Sequence, residues 1–194
     1  MSNVIELKNI VKNYTSKKKI RVLNKINFSF KSGKIYSLMG PSGSGKSTLL
    51  NLLSMIDTPN SGTLKISNNI VNYSSKSYND KLRANKIGII YQNNNLLSDF
   101  TAIENVYLPN LLMSNDVSSS INLAKKIIRN VGLSSRLNHF PSELSGGENQ
   151  RIAIARALIN NPEIILADEP TGSLDFENAK QIFKLLLNLK NKNR

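Results

Sequence analysis

The stretch Gly40-Pro-Ser-Gly-Ser-Gly45-Lys46-Ser47 decides the fold predicted for this chain of 194 residues. It matches the pattern G-x-x-x-x-G-K-[ST] at every fixed position, between an apolar strand pattern, Ile35–Met39, and a helical pattern, Lys46–Ser54. In such a loop the glycines let backbone N–H groups converge on phosphate oxygens, and the helix N-terminus adds partial positive charge. We therefore expect a phosphate-binding loop made of Gly40, Pro41, Ser42, Gly43, Ser44, Gly45, Lys46, Ser47 and Thr48.

Two residues at the end of this loop have predicted chemical roles. Lys46 is expected to reach the β- and γ-phosphates of a nucleoside triphosphate, and the Ser47 hydroxyl is expected to ligate Mg²⁺. The alternative is a glycine-rich turn that binds no ligand. The strand and helix patterns on either side of the loop favour the phosphate-binding interpretation.

A second apolar strand pattern, Glu163–Ala167, ends in the acidic pair Asp168 and Glu169. The carboxyl end of a buried strand beside a phosphate loop is where an Mg²⁺-ordering aspartate is expected, which is the role predicted for Asp168. Glu169 is then placed to polarise a water molecule for attack on the γ-phosphate. Taken alone, two acids after a strand are usually the start of a solvated loop. The phosphate loop favours the catalytic interpretation.

The composition of the chain excludes several classes of site. It has no cysteine and a single histidine, His139, so neither a disulfide framework nor a thiolate or histidine-rich metal site is expected. The N-terminus lacks the pattern of a signal peptide, and no apolar run approaches the roughly 20 residues of a membrane-spanning helix. The formal net charge of +13 is consistent with a surface for nucleic acid or anionic lipid, or with drift toward lysine, asparagine and isoleucine. Charge alone does not identify a partner.

Alternating strand and helix patterns predict an α/β fold with a largely parallel sheet. The predicted strands are Val4–Leu7, Ile26–Phe30, Ile35–Met39, Ile87–Tyr91 and Glu163–Ala167, and the predicted helices are Lys46–Ser54, Ile121–Val131, Glu148–Asn160 and Glu177–Leu189. Buried helix faces are expected at Ile121, Ala124, Ile128 and Val131, and at Ile182, Phe183, Leu186 and Leu189. Residues 93–142 are more polar and helical than their flanks, which predicts an inserted helical lobe.

The stretch Leu144-Ser-Gly-Gly-Glu-Asn-Gln-Arg151 opens the helix Glu148–Asn160 and offers a second anion-binding helix terminus. An ordinary helix cap is the alternative. This stretch resembles the signature motif of the ABC ATPase family, and the resemblance extends over essentially the whole chain. It implies a head-to-tail homodimer in which one subunit covers the ATP held by Lys46 of the other. The covering residues would be Ser145, Gly146, Gly147 and Glu148.

Other residues match the family pattern. Tyr14 resembles the aromatic residue that stacks on adenine, although an ordinary exposed tyrosine in a loop is the alternative. Gln92 resembles the glutamine that contacts Mg²⁺ and the attacking water and couples them to the helical lobe. Ser173-Leu174-Asp175 resembles a loop that lies across the dimer interface.

The resemblance implies a RecA-like P-loop core with an N-terminal antiparallel β portion, all within a single domain over residues 1–194. The chain departs from the family at its end, because Arg194 follows the last predicted helix directly. A strand and the switch histidine after it are therefore expected to be missing. His139 precedes the acidic pair and is a poor substitute. This departure puts hydrolysis in question, and nucleotide binding less so.

Three functions follow from these patterns. The leading one is an ATP-hydrolysing transporter motor. A finer resemblance to ATPases of lipoprotein-releasing systems, shared in part by other exporters and a cell-division ATPase, implies permease partners at the cytoplasmic face of the bacterial inner membrane. The second is a soluble ABC ATPase acting on nucleic acid, although no direct nucleic-acid contact is expected. The third is a fragment that binds ATP without turning it over.

Overall fold

The computed structural model describes residues 2–15 and 19–190. They divide between Lys86 and Ile87 into two compact units, which are described one after the other. The last four residues lie outside the described part. That a strand is missing after the last helix stays a prediction. That residues 1–194 form a single domain stays a prediction.

The first unit contains a four-stranded antiparallel sheet with the order β2-β1-β3-β4. Its strands are β1 (Asn3–Thr15), β2 (Lys19–Lys31), β3 (Ser61–Ile66) and β4 (Asn69–Ile70). Apolar residues alternate along β1 and β3, and the register pairs Ile5 with Ile66 and Leu7 with Leu64, all four of them buried. This alternation is typical of a sheet with one face in the core. The predicted N-terminal antiparallel portion is confirmed.

Two helices complete this unit, α1 (Lys46–Leu53) and α2 (Lys76–Lys86). Helix α1 confirms the helix predicted after the phosphate loop, and it buries Leu52 and Leu53 near its end. Strand β3 and helix α2 were not predicted, because both carry many polar residues and few apolar ones.

The predicted strand Ile35–Met39 is wrong. These residues adopt no regular structure, and four of the five side chains are exposed large hydrophobic groups, with Met39 at 85%. An apolar run predicts burial, but a strand also needs a neighbour that pairs with its backbone N–H and C=O groups. In the two sheets of the described residues, no strand pairs with this segment.

The second unit is built around two parallel strands, β5 (Ile87–Ile90) and β6 (Ile164–Ala167). Their register runs from Ile87 opposite Ile164 to Ile90 opposite Ala167. Both strands were predicted within one residue at each end, and the parallel pairing confirms the α/β class. Because the strands are parallel and in register, their carboxyl ends meet at one edge.

Four helices pack in this unit, and they are α3 (Ala102–Ser114), α4 (Val117–Asn130), α5 (Gly146–Leu158) and α6 (Phe176–Lys190). Short 3₁₀ turns lie at Ser134–Arg136 and Pro141–Glu143. One core joins buried residues of α3, α4 and α5, and a second joins Ile90 to apolar residues of α5 and α6. Residues 93–142 thus carry two helices, whereas their description as an inserted lobe stays a prediction.

The predicted apolar faces of α4 and α6 are only partly right. Ala124, Ile128 and Val131 are buried, but Phe183 is 60% exposed. On α6 the core side follows Ile182 and Leu189, with Leu185 and Leu186 packed against it. Phe183 lies about 100° around the helix from Ile182, which turns it away from that side.

Candidate functional site

The phosphate loop of the first unit has the backbone that its glycines predict. Gly45 forms the N-cap of α1 in the left-handed conformation, with φ 77°. A Cβ at this position would lie 2.8 Å from Val22 Cγ1, so another residue would be strained and crowded. A Cβ at Gly40 would similarly lie 2.8 Å from Ser44 Oγ. The Ser44 N–H donates to the Pro41 carbonyl at 3.2 Å and closes the turn.

Lys46 folds back over this loop. Its ammonium donates to the Gly40 carbonyl at 3.1 Å and, more weakly, to the Pro41 carbonyl at 3.5 Å. Ser47 and Thr48 follow in the first turn of α1, which contains no acidic residue to offset the positive helix terminus. A lysine ammonium and an uncompensated helix N-terminus therefore lie together, and this combination fits a phosphate group. Ser42 and Gly43 lie between Pro41 and Ser44, within the turn that precedes them.

Tyr14 lies on β1 in the same unit, not in a loop. Its hydroxyl donates to Asp57 Oδ2 at 2.8 Å, and its ring is 43% exposed. The Lys12 ammonium lies 4.9 Å from the ring centroid. The tyrosine is thus held on its strand by a polar cluster while a large part of the ring stays open to a ligand.

In the second unit, the predicted catalytic residues lie where β5 and β6 end. The Asp168 N–H donates to the Ile90 carbonyl at 2.9 Å, which continues the pairing of the strands by one residue. Glu169 follows with a left-handed backbone, φ 43°, and its carbonyl accepts from the Gly172 N–H at 2.9 Å. The turn directs the chain back toward the residues that follow β5.

Gln92 and Glu169 approach each other at this turn. A Cβ built on Gly172 would lie 3.0 Å from Gln92 Nε2 and 3.3 Å from Glu169 Oε2, so both side chains face the same point. The Ser173 hydroxyl also donates to the Gln92 carbonyl at 3.4 Å. An amide and a carboxylate converging at a strand edge can orient a water molecule and accept its proton.

Residues 144–151, named here the signature-like segment, open α5 with a capping box. An ordinary helix cap was the alternative interpretation of these residues from sequence. The Ser145 side chain accepts from the Glu148 N–H at 3.2 Å, and the Glu148 carboxylate accepts from the Ser145 N–H at 2.8 Å. Arg136 Nε donates to the same carboxylate at 2.8 Å. The Arg136 hydrogen bond, followed by the one from the Ser145 amide, lowers the pKa of Glu148 to about 2. Glu148 is therefore a charged structural group in this unit.

Three contacts of the signature-like segment and its helix α5 were not predicted from sequence. Arg156 donates from its two terminal nitrogens to the Asn94 and Asn95 carbonyls, both at 2.6 Å, just after Gln92. Gln150, 1% exposed, donates more weakly to the Tyr91 carbonyl at 3.5 Å. The only sequence signal was the presence of long polar side chains on a helix with much apolar surface.

The third contact places the signature-like segment beside the Ser173–Asp175 segment. A Cβ on Gly146 would lie 3.6 Å from Leu174 Cδ2, and one on Gly147 would collide with the Asn178 side chain. Asn178 is fixed by Asp175, whose carboxylate accepts from both its N–H and its amide group. The two segments are therefore neighbours within one unit.

The predicted site residues thus fall into two groups, one in each unit. The phosphate loop and Tyr14 belong to the first unit, and Gln92, Asp168, Glu169 and residues 145–148 belong to the second. Among residues 2–15 and 19–190, no cluster of three or more histidine, aspartate or glutamate side chains could hold a metal ion. Mg²⁺ commonly binds through one or two carboxylates together with phosphate oxygens and water, so the residues present fit it.

The chain resembles known proteins over most of its length. The family model described as "ABC transporter" matches residues 23–172. The lipoprotein-releasing system ATP-binding protein LolD of Wigglesworthia glossinidia brevipalpis is 50% identical over 189 residues, which cover 96% of this chain and 82% of that protein. LolD of Rickettsia bellii is 46% identical over 189 residues, covering 96% and 83%.

Solved structures resemble the chain as well. A dimeric ATP-binding cassette in a post-hydrolysis state, bound to ADP and Pi, matches with a TM-score of 0.88 and 40% identity over 97% of this chain and 83% of that one. The dimeric structure of a bacterial ABC transporter cassette matches with a TM-score of 0.88 and 41% identity over the same shares.

Proposed function

The chain belongs to the ABC transporter family, and from this premise we propose that it is the ATP-hydrolysing subunit of a bacterial transporter that releases lipoproteins from the inner membrane. The observation that supports ATP hydrolysis is that the side chains of Gln92 and Glu169 converge beside Gly172, at the ends of two parallel strands. The sequence identity of 50% and 46% to two LolD proteins supports the lipoprotein-releasing role. It leaves the alternative of a nucleic-acid ATPase without support.

ATP binding is assigned to the first unit. The Lys46 ammonium exchanges the carbonyls of Gly40 and Pro41 for phosphate oxygens, and the N–H groups at the start of α1 bind the same phosphates. Tyr14 presents its exposed ring to adenine, a contact that contributes about 1–3 kcal/mol where bases stack on aromatic side chains.

Hydrolysis is assigned to the second unit. The Glu169 carboxylate accepts a proton from the attacking water, and the Gln92 amide orients that water. The proposed Mg²⁺ ligands are the Ser47 hydroxyl in the first unit and Gln92 and Asp168 in the second, and Mg²⁺ would neutralise charge on the β- and γ-phosphate oxygens.

The signature-like segment is assigned to a head-to-tail dimer. Ser145 and Gly146 are exposed at the start of α5, where helix N–H groups suit an anion. They, with Gly147 and Glu148, would cover the ATP bound to Lys46 of a second copy. The dimeric state of one related cassette, seen in two solved structures, supports this assembly.

The proposed partners are inner-membrane permease subunits, and the proposed location of the chain is the cytoplasmic face of that membrane. The name of the LolD relatives supports this location. Of the helices in the described residues, none combines the length and apolar character needed to cross a bilayer. In this proposal residues 93–142 form the lobe that transmits movement to the permease within a single domain.

The test is Mg²⁺-dependent phosphate release by the purified chain, measured against protein concentration. The matched variants are Lys46→Ala, which removes the phosphate-binding ammonium, and Glu169→Gln, which keeps the shape of the side chain but cannot accept a proton. We expect a rate that rises faster than linearly with concentration and is lost in both variants, whereas Glu169→Gln still binds ATP. A rate equal to that of Lys46→Ala at every concentration would refute hydrolysis by this chain.

A further inference from the structure

Three side chains of the first unit form a closed polar cluster, defined here as the Lys12–Asp57–Tyr14 cluster. The Lys12 ammonium donates to Asp57 Oδ1 at 2.6 Å, and the Tyr14 hydroxyl donates to Asp57 Oδ2 at 2.8 Å. Lys12 and Tyr14 are two residues apart on β1, so their side chains leave the same face of the strand. Each carboxylate oxygen of Asp57 therefore holds a different neighbour.

Burial makes this cluster rigid. Lys12 is only 8% exposed, which is unusual for a lysine, and its ammonium also donates to the Thr58 carbonyl at 2.7 Å. The Thr58 N–H in turn donates to Asp57 Oδ1 at 2.7 Å. Burial alone would raise the pKa of Asp57, but the hydrogen bonds from Lys12, Tyr14 and Thr58 lower it. The carboxylate thus stays charged, and its position is fixed from several directions.

The cluster also fixes the face that the Tyr14 ring presents. The Lys12 ammonium lies over the ring at 4.9 Å from its centroid, in the range of a cation–π contact. A ring has two faces, and with one covered by the ammonium, the other is the face on which a flat ligand can stack. The 43% exposure of Tyr14 is consistent with one open face.

The same cluster ties β1 to the helix that starts at the phosphate loop. Asp57 follows the end of α1, and its N–H donates to the Asn51 carbonyl at 3.1 Å. Farther along, Asn60 Oδ1 accepts from the Asn13 N–H at 2.6 Å, next to Tyr14. The phosphate loop thus precedes α1, and Asp57, whose carboxylate binds Tyr14, follows the other end of the same helix.

We propose that Lys12 and Asp57 are positioning residues that hold the Tyr14 ring at a set distance from the phosphate loop and thereby raise affinity for the base of the nucleotide. This inference rests on the proposed function, in which Tyr14 stacks on adenine. Neither Lys12 nor Asp57 has to touch the nucleotide. Their contribution is the fixed orientation of the ring, which reduces the ordering cost of stacking.

The sharpest variant is Tyr14→Phe, because it keeps the ring and removes only the hydroxyl that Asp57 holds. Asp57→Asn is the second variant, since it keeps the shape of the side chain but leaves Lys12 without its counter-charge. Tyr36→Phe is the matched control. Tyr36 is 42% exposed, and its hydroxyl accepts a hydrogen bond from the Lys31 N–H at 3.0 Å, outside the cluster.

The probes are ADP and inorganic pyrophosphate, each titrated calorimetrically into the full chain with Mg²⁺, and neither is consumed by ATP hydrolysis. Pyrophosphate engages the phosphate loop without the base. We expect Tyr14→Phe to weaken ADP binding about 3- to 10-fold, the range of one lost hydrogen bond, and to leave pyrophosphate binding within about twofold of wild type. Asp57→Asn is expected to weaken ADP binding at least as much. Tyr36→Phe is expected to bind both probes like wild type.

Two results would overturn the positioning role. If Tyr14→Phe and Asp57→Asn bind ADP like wild type, the cluster does not orient the ring. If ADP and pyrophosphate weaken in parallel in both variants, the cluster acts only through the stability of the first unit. A wild-type chain that binds pyrophosphate but gains nothing from the base would instead contradict the role proposed for Tyr14, and one that binds neither probe would contradict ATP binding itself.

Discussion

Replacing Arg156 by alanine is expected to release the loop that follows Gln92 from helix α5. The guanidinium donates two hydrogen bonds of 2.6 Å to successive backbone carbonyls, those of Asn94 and Asn95. Each bond from a charged group contributes about 1.5–3 kcal/mol, and partial exposure favours the lower value. Burial lowers the pKa of Arg156, which reports a desolvation cost that alanine would not bear. The net loss of unfolding free energy is therefore about 2–3 kcal/mol.

The functional consequence is expected to be larger for hydrolysis than for binding. Gln92 precedes the two carbonyls bound by Arg156 by two and three residues. A misplacement of about 1 Å in a catalytic group can cost about 100-fold in rate. We expect Arg156→Ala to lower kcat between about 10- and 100-fold with little change in the Kd for ADP. Arg156→Lys keeps the charge but replaces the two-nitrogen fork of the guanidinium by a single nitrogen, and it is expected to fall between wild type and alanine.

The assay combines denaturant unfolding with steady-state ATP hydrolysis under conditions where each variant is folded. Arg151→Ala is the matched control, because Arg151 lies on the same helix but donates to Gln181 of α6, at 2.8 Å. It is expected to lose stability without a specific loss of kcat. Arg156→Ala could unfold more easily yet hydrolyse ATP like wild type, while Gln92→Ala does not. That result would show that the hydrogen bonds of Arg156 do not position Gln92.

Three further predictions test other contacts in the second unit. Gly172→Ala places a methyl group 3.0 Å from Gln92 Nε2 and 3.3 Å from Glu169 Oε2, so we expect about a tenfold fall in kcat with unchanged ADP binding in steady-state and calorimetric measurements. Glu148→Gln is expected to cost about 1 kcal/mol at pH 7, because the folded pKa of about 2 lies below the ordinary 4.5 and solvent screens the partly exposed pair. That stabilisation is present above pH 4.5 and is lost as pH falls toward 2, so the unfolding midpoints of wild type and variant should converge over this interval. Gly147→Ala would collide with the Asn178 side chain and is expected to cost about 1–3 kcal/mol in thermal unfolding, and adding Asn178→Ala should restore part of it.

The phosphate loop is the part of the site that sequence predicts best, because its geometry is local. The glycine at the N-cap of α1 and the lysine that follows are specified within eight residues, and the helix begins at Lys46, where it was predicted to begin. The ends of β5 and β6 were also predictable, since short β-branched runs bounded by polar residues are typical of buried strands. The family was recognisable from the same motifs.

Long-range contacts explain most of what sequence did not predict. Gly62 lies on β3, which was not predicted, and it marks a close approach, because a Cβ there would lie 2.6 Å from the Lys8 carbonyl on β1. The apolar run Ile35–Met39 predicts a strand from sequence. A strand forms only where its backbone pairs with a neighbouring strand, and that neighbour lies at distant positions in the sequence. Lys12 and Asp57 are 45 residues apart, and no local pattern predicts that they meet.

At Glu169, a left-handed backbone that lowers stability coincides with the side chain proposed to accept the proton. The Cβ of most residues costs about 1–2 kcal/mol in this conformation, whereas asparagine tolerates it through local hydrogen bonds. Glu169→Asn is therefore expected to relieve strain while removing the group proposed to accept the proton. A selection for heat-resistant variants of this protein would therefore favour loss of the glutamate, whereas a selection for ATP turnover would retain it. The positive φ of Glu169, together with its position just after β6, identifies it as the residue that such opposing selections would treat differently.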